Sequence, residues 1–190
     1  MIHSIFSTPI YEANLMLPTG IEELCLNLKN EQESVSLSNE GGYQSNNIAN
    51  DKRFETIRGL SYTHTNEFYN MLGRAKGKEI HLSNMWVNIN QNSHYNIPHI
   101  HPNSFLSGVI YIKVPKDSGK IIFNHPCDYL TYDWKEECFD DLNNSTTAPS
   151  WWVQSETSKI LIFPSWIKHS VESNQSNEER ISIAFNFRIN

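Results

Sequence analysis

The chain has 190 residues, of which 38% are hydrophobic and 12% aromatic, and its formal net charge is −6. This length and composition predict one globular domain with a sizeable core and do not suit a disordered chain. The negative charge, without any run of lysines and arginines, argues against a nucleic-acid-binding groove.

The three cysteines, Cys25, Cys127 and Cys138, show no CxxC spacing and are odd in number. This pattern favours reduced thiols in a reducing compartment. We see no basic segment followed by an apolar core at the start, and no apolar run approaches the roughly 20 residues of a membrane helix. We therefore expect a soluble protein of the cytoplasm that engages neither membranes nor nucleic acid. The sequence does not indicate an oligomeric state.

Residues 1–79 predict a strand and two helices that support a larger sheet. The strand is expected at 2–12, where Pro9 favours an edge position. Apolar residues at helical spacing begin at Ile21, directly after a Pro-Thr-Gly turn. Residues 33–51 are polar and glycine-bearing, which is typical of a loop.

A second helix is expected from a capping Thr65 to about Lys76. Its predicted inward-facing side chains are Phe68, Met71 and Leu72. We expect both helices to pack on the outside of one sheet.

The remaining residues, 80–190, read as short β-rich runs. Several of them alternate between apolar and polar residues, most clearly at the C-terminal end. This pattern predicts a mainly β fold, a two-sheet antiparallel sandwich or jelly roll. The runs lie at 80–90, 97–101, 105–114, 119–124, 159–164 and 181–189.

Residues 127–157 interrupt this series of strands. The stretch is rich in acidic residues and contains Trp134, Trp151 and Trp152. It is longer than a hairpin turn, which favours a lid or a substrate-facing excursion. The alternative is a surface insertion whose tryptophans cover the end of the sandwich. Acidic groups and tryptophan faces together would attract aromatic or basic partners.

Three histidines follow or lie within apolar β-rich segments. His99 and His101 are two residues apart, so an extended chain would place both rings on one face. His169 follows a distant apolar run. Three such ligands on one face of a metal would leave open positions for a cofactor or a substrate. The alternative is that the His-x-His pair lies on a strand surface and binds no metal.

Eleven residues beyond His169, Arg180 and Ser182 form an Arg-x-Ser pair on one strand face. A guanidinium binds a carboxylate through two parallel hydrogen bonds, and the serine hydroxyl can add a third. An anion-binding pair one strand from a metal points to a dicarboxylate that chelates the metal at one end. The alternative for Arg180 is a solvated charge at the end of a strand.

With these motifs the chain resembles the iron(II)/2-oxoglutarate-dependent dioxygenases, in particular a small branch found in bacteria and phages. The resemblance covers nearly the whole chain. The matching segments are 6–11, 38–45, 85–90, 99–102, 107–111, 163–169 and 180–182.

This resemblance implies a double-stranded β-helix, which is the jelly roll expected above, and a hydroxylase that uses Fe(II), 2-oxoglutarate and molecular oxygen. It implies that His99 and His169 bind iron and that Arg180 binds the far carboxylate of 2-oxoglutarate. It also implies that Tyr111, and more weakly Asn88, contact the same carboxylate. A phage-encoded member would act in the host cytoplasm.

One position departs from the family pattern. Most members have Asp or Glu two residues after the first histidine, where this chain has His101. Either three neutral histidines hold the metal, or His101 is not a ligand. Charge permits the first case, because Fe(II) with neutral imidazoles and a 2-oxoglutarate dianion sums to zero.

Two other functions fit part of the sequence. A cupin also uses His-x-His and a later histidine, although it usually has a nearby Glu that is missing here and has no need for Arg-x-Ser. A binding or structural protein could also have the same sandwich fold without enzymatic activity. For the dioxygenase, the substrate is left open between a small molecule and a protein side chain.

Overall fold

The computed structural model describes residues 5–35, 37–127, 138 and 147–190. Two helices and eleven strands lie in these ranges. In chain order they are β1 Tyr11–Asn14, α1 Ile21–Glu31, β2 Asn39–Glu40, β3 Tyr43–Gln44, α2 Glu55–Met71, β4 Ile80–Asn90, β5 Tyr95–His99, β6 Leu106–Lys113, β7 Ile121–Asn124, β8 Ser150–Val153, β9 Lys159–Pro164, β10 His169–Val171 and β11 Arg180–Ile189. Neither helix is long and apolar enough to cross a bilayer.

The strands form two antiparallel sheets that face each other, which confirms the predicted jelly roll. One sheet has the strand order β1-β9-β6-β11-β4-β3, and the other has the order β2-β5-β10-β7-β8. A small apolar cluster joins them, because Leu161 and Phe163 of the first sheet pack with Ile121 and Phe123 of the second. We call these the six-stranded and five-stranded sheets.

Strand β11 shows why the helices lie where they do. Its residues Ile181, Ile183, Phe185 and Phe187 are fully buried and pack in one core with residues of α1 and α2. The alternate residues face the five-stranded sheet, because successive side chains of a strand point to opposite faces. The prediction that the N-terminal helices pack on one sheet is therefore confirmed.

The N-terminal strand is shorter than predicted. Within the described residues, which begin at Ile5, it runs only from Tyr11 to Asn14, because the chain pairs with β9 only after Pro9, which has no N–H to donate. Its edge position is as expected. The predicted loop at 33–51 contains the two-residue strands β2 and β3, which are too short to show a pattern in the sequence.

The predicted start of the second helix at Thr65 is wrong. The helix begins at Glu55, after a 3-10 turn whose cap is Asp51, which accepts a hydrogen bond from the Arg53 backbone N–H. Thr65 lies buried in the middle of the helix. The helix ends at Met71, and the side chains of Met71 and Leu72 are exposed instead of inward-facing.

Two differences concern the strands near the predicted functional residues. Strand β5 ends at His99, so His101 lies in the loop beyond it. Strand β10, which has only three residues and an irregular register with β5, was not predicted.

Only part of the predicted lid can be compared with the structure. Most of 127–157, including Trp134, lies outside the described residues. Its last part is a strand: β8 pairs with β7 at the edge of the five-stranded sheet. Trp151 and Trp152 are both partly exposed there.

Candidate metal and cofactor site

The three predicted histidines come together between the two sheets. His99 ends β5 and His169 begins β10, and the two are direct cross-strand partners. The loop that carries His101 is held against the turn before β10, since the His101 backbone N–H donates to the Ser165 carbonyl at 3.0 Å.

The spacing of the rings suits a single metal ion. The ring centroids are 4.4 Å apart for His99 and His169, 5.0 Å for His99 and His101, and 5.1 Å for His101 and His169. One ligand nitrogen from each ring lies within 4.8 Å of the other two. An ion bonded at about 2.0–2.1 Å to each nitrogen would draw the three rings closer together.

Hydrogen bonds fix the orientation of two of the rings. His99 Nδ1 lies 2.7 Å from the Ile97 carbonyl oxygen, and His169 Nδ1 lies 3.0 Å from that of Ile167. A carbonyl can only accept, so each Nδ1 carries the proton and each Nε2 presents its lone pair. Within the described chain we find no such partner for the His101 ring, which lies 5.8 Å from the Trp86 ring.

All three imidazoles are neutral at pH 7. Burial lowers the pKa of His99, and it lowers the pKa of His101 to about 4 and that of His169 to about 3. The neighbouring His99 contributes to the last two shifts, because a second positive charge nearby is unfavourable. Neutral rings are the form that binds a metal.

This burial predicts a pH-dependent stability for the metal-free protein. The unfolded chain binds protons at its histidines below a pKa of about 6.5. The folded chain does so only at lower pH, so stability is lost as pH falls from 6.5 towards 4. Each buried histidine contributes a slope of up to about 1.4 kcal/mol per pH unit.

Urea unfolding of the metal-free protein between pH 7.5 and 5.5 measures this loss. His169→Asn should reduce the slope, because it removes one of the histidines whose pKa is lowered by burial. A free energy of unfolding that stays level over this range in the wild type would contradict the neutral, buried histidines.

A buried arginine faces the same cavity. The Arg180 side chain is only 2% exposed. One of its terminal nitrogens donates to the carbonyl oxygens of Ser118 and Glu172, and no carboxylate of the described residues pairs with it. Burying a guanidinium without an anion is unfavourable, so this arrangement is suited to a bound carboxylate.

The other predicted cofactor residues lie in one row across the sheet. Ser182 of β11 is the cross-strand partner of Tyr111 on one side and of Asn88 on the other. Arg180 shares their face because it is two residues before Ser182. These four residues and the three histidines line one pocket between the sheets, which we call the inner pocket.

Residues that were not predicted from the sequence also shape the inner pocket. Asn39 of β2 donates to the Asn88 side-chain oxygen at 3.3 Å, which leaves the Asn88 amide nitrogen as the group that can donate. Asn96 and Trp86 also line the pocket. Asn39 and Trp86 could have been found from the sequence, because they lie in the segments 38–45 and 85–90, which match the resembled family.

Comparisons with known proteins agree with this geometry. A family model described as "Putative 2OG-Fe(II) oxygenase" matches residues 84–186. This range contains all seven predicted site residues. No curated protein matches the chain in sequence.

Solved structures with the same fold are distant in sequence. A prolyl-4-hydroxylase from Pseudomonas putida has a TM-score of 0.63 at 14% identity, and the match covers 96% of this chain and 93% of that one. HygX from Streptomyces hygroscopicus, with nickel and 2-oxoglutarate bound, has a TM-score of 0.64 at 10% identity, covering 95% and 83%.

An oxidoreductase of the 2OG-Fe(II) oxygenase family from Burkholderia pseudomallei has a TM-score of 0.52 at 18% identity. That match covers 70% of this chain but only 55% of the Burkholderia protein. Similarities at such low identity establish the fold alone.

Proposed function

Because the chain belongs to the 2OG-Fe(II) oxygenase family, we propose that it is an Fe(II)- and 2-oxoglutarate-dependent dioxygenase that hydroxylates a substrate. The observation that carries this proposal is the inner pocket, where three neutral imidazoles face the same space as a buried arginine that pairs with no carboxylate of the described residues. The predicted resemblance to this family is confirmed by the family match.

The donor set fits ferrous iron. His99, His101 and His169 would hold it through neutral nitrogens, which suit iron and leave positions open on the other face. With 2-oxoglutarate bound, the 2+ charge of the ion and the 2− charge of the acid cancel. The cofactor pair supplies the oxidation: oxygen converts 2-oxoglutarate to succinate and carbon dioxide, and the second oxygen atom becomes the hydroxyl of the product.

The protein's own groups would position the acid. Arg180 has donors left for two parallel hydrogen bonds to the far carboxylate. Ser182 lies two residues further along the same strand and Tyr111 on the neighbouring strand β6, and each can donate one more hydrogen bond. These groups line the inner pocket between the two sheets, where the acid would bind.

The alternatives have less support. Family membership favours the dioxygenase over a cupin that does not use 2-oxoglutarate. A cupin also gives no reason to bury Arg180, which has no carboxylate partner in the part of the chain that the structure describes. A binding protein on the same fold would keep the pocket but would not consume 2-oxoglutarate, so a turnover assay distinguishes it.

The cellular compartment, the domain organisation and the class of substrate are part of the same proposal. We place the protein in the cytoplasm as one domain, with a small molecule or a protein side chain as substrate. The free state of Cys25, Cys127 and Cys138 supports a reducing compartment.

Gly119 gives a prediction about cofactor binding alone. Its φ is +87°, and an added Cβ would lie 2.5 Å from the Glu172 carbonyl oxygen and 3.0 Å from a terminal nitrogen of Arg180. We expect Gly119→Ala to displace the guanidinium and to raise the 2-oxoglutarate dissociation constant about tenfold, equivalent to about 1.4 kcal/mol. Iron affinity should not change.

Gly77→Ala is the matched control for this measurement. Gly77 also has a positive φ, of +76°, but an added Cβ would meet nothing within 4 Å. It should bind 2-oxoglutarate as the wild type does. If both variants bound the acid equally, the loop at Gly119 would not position Arg180.

The proposed function is tested by turnover. Purified, iron-loaded protein in air is incubated with 2-oxoglutarate and a panel of amino acids, peptides and small metabolites, and succinate is measured. We expect succinate to form only with iron present, and not in the His169→Ala variant. A wild-type protein that binds iron but forms no succinate with any substrate would favour the binding protein.

A further inference from the structure

A second, more polar pocket adjoins the metal site. Its volume is about 240 Å³. It is lined mainly by Ser83, Asn84, His101, Ser104, Asn186 and Arg188. We call it the outer pocket. An inference about its ligand rests on the proposed function, because that ligand would be the substrate of the same site.

The two pockets lie end to end along the six-stranded sheet. The residues of β11 that face the five-stranded sheet alternate from Arg180 through Ala184 to Arg188. Ala184 and its cross-strand partner Trp86 line the inner pocket, whereas the next row, Asn186 and its partner Asn84, lines the outer pocket. His101 lines both pockets, so a ligand in the outer pocket lies against the metal site.

The outer pocket offers mostly hydrogen-bonding groups and one charge. Arg188 is exposed, and no carboxylate of the described residues pairs with it. Asn186 is buried and held in place, because its side-chain oxygen accepts a hydrogen bond from the Ser107 hydroxyl at 2.7 Å. The Ser83 hydroxyl is 3.2 Å from the Asn84 side-chain oxygen, so Asn84 too is oriented.

The unusual third histidine favours an anion at this position. A carboxylate at residue 101 would leave the iron centre with a net charge of 1− after 2-oxoglutarate binds. His101 makes that sum zero, so a negative group in the adjoining pocket meets no net repulsion from the centre and is attracted by Arg188.

We propose that the outer pocket binds the substrate, and that this substrate is a small polar molecule of amino-acid size with a carboxylate held by Arg188. Asn84 and Asn186 would bind polar atoms next to that carboxylate. Ala184, which lines the inner pocket, and Arg188 are four positions apart in β11, a distance of about 13 Å along the strand. The oxidised carbon therefore lies several bonds from the acid group.

This substrate differs from the one expected from residues 127–157. The acidic residues and tryptophans there indicated aromatic or basic partners. The polar groups that adjoin the histidines are instead neutral or positive. A negatively charged ligand therefore matches the groups nearest the metal.

The test compares an acid with its neutral analogue. Iron-loaded protein, free of oxygen and saturated with 2-oxoglutarate, is titrated by calorimetry with N-acetylglycine and with N-acetylglycinamide. The wild type should bind the acid at least about tenfold more tightly than the amide, because a hydrogen bond between two charged groups is stronger than one to a neutral group.

Arg188→Met should abolish the preference for the acid, and Arg188→Lys should keep part of it. Lys52→Met, which removes an exposed charge on the 3-10 turn, should keep it fully. The affinity for 2-oxoglutarate should be equal in all four proteins. Equal binding of acid and amide by the wild type, no binding of either, or a preference that survives Arg188→Met would overturn the inference.

A separate arm distinguishes this inference from the proposed function. The acid and the amide are also titrated into Arg180→Met protein without 2-oxoglutarate. A preference for the acid that needs Arg188 but not Arg180 supports the outer pocket even if the wild type does not bind 2-oxoglutarate. A preference that is lost with Arg180 places the acid in the inner pocket and contradicts the inference.

Discussion

Arg180→Met is expected to raise the dissociation constant of 2-oxoglutarate by tens to thousands of times while iron binding stays unchanged. The guanidinium is buried, so it would meet the carboxylate away from water. Removing one partner of such a desolvated pair typically costs about 2–5 kcal/mol. At about 1.4 kcal/mol for each factor of ten, this range gives the expected loss of affinity.

Two further variants make this result specific. Arg180→Lys should recover only part of the affinity, because an ammonium cannot form two parallel hydrogen bonds. Arg74→Met removes an arginine of the N-terminal half and should change nothing. Equal affinities for 2-oxoglutarate in the wild type and in Arg180→Met would show that Arg180 does not bind the acid.

The same substitution should not unfold the protein. Arg180 is buried without a carboxylate partner in the described chain. This buried charge therefore lowers the stability of the folded protein when neither metal nor ligand is bound. We expect the free energy of unfolding to stay level or to rise in Arg180→Met. A simultaneous large loss of stability would assign Arg180 a structural role instead.

His99→Ala and His169→Ala are each expected to lower iron affinity by more than about a hundredfold. Mutation of outer groups that merely orient a metal ligand costs about 10–100-fold, so loss of a ligand should cost more. Equilibrium dialysis with Fe(II) in the absence of oxygen measures the affinity. His94→Ala, which removes a partly exposed histidine outside the site, is the control.

The substitutions at His101 decide how many histidines bind the metal. If all three histidines bind the metal, His101→Ala should lose iron as His99→Ala and His169→Ala do. His101→Asp should then retain iron, because it restores a set of two histidines and one carboxylate. Unchanged iron affinity in His101→Ala would mean that His99 and His169 bind iron without it.

The parts of the fold that repeat a local pattern could be predicted from the sequence. The alternation in β11 predicts a strand with one apolar face, and the structure shows that this face packs on the helices. Arg180 and Ser182 both face the inner pocket for the same reason, because a spacing of two places side chains on one face of a strand. The His99 and His169 pairing could not be predicted, since it depends on the register of two distant strands.

Elements that depend on tertiary contacts were missed. Strand β10 has three residues and exists only because it pairs with β5 and β7. Thr65 has the chemistry of a helix cap, but the chain uses Asp51 for the preceding turn and buries Thr65 against the core. A capping residue inside a helix cannot be distinguished from one at its start by local sequence alone.

The central claim is that metal and arginine together form a binding site for 2-oxoglutarate. The most direct measurement is a calorimetric titration of 2-oxoglutarate into oxygen-free wild-type protein, once loaded with iron and once free of metal. We predict saturable binding of one molecule per chain that is at least about tenfold tighter with iron, because the acid then gains its bonds to the metal. No binding to the iron-loaded protein, or equal affinity with and without iron, would contradict this claim.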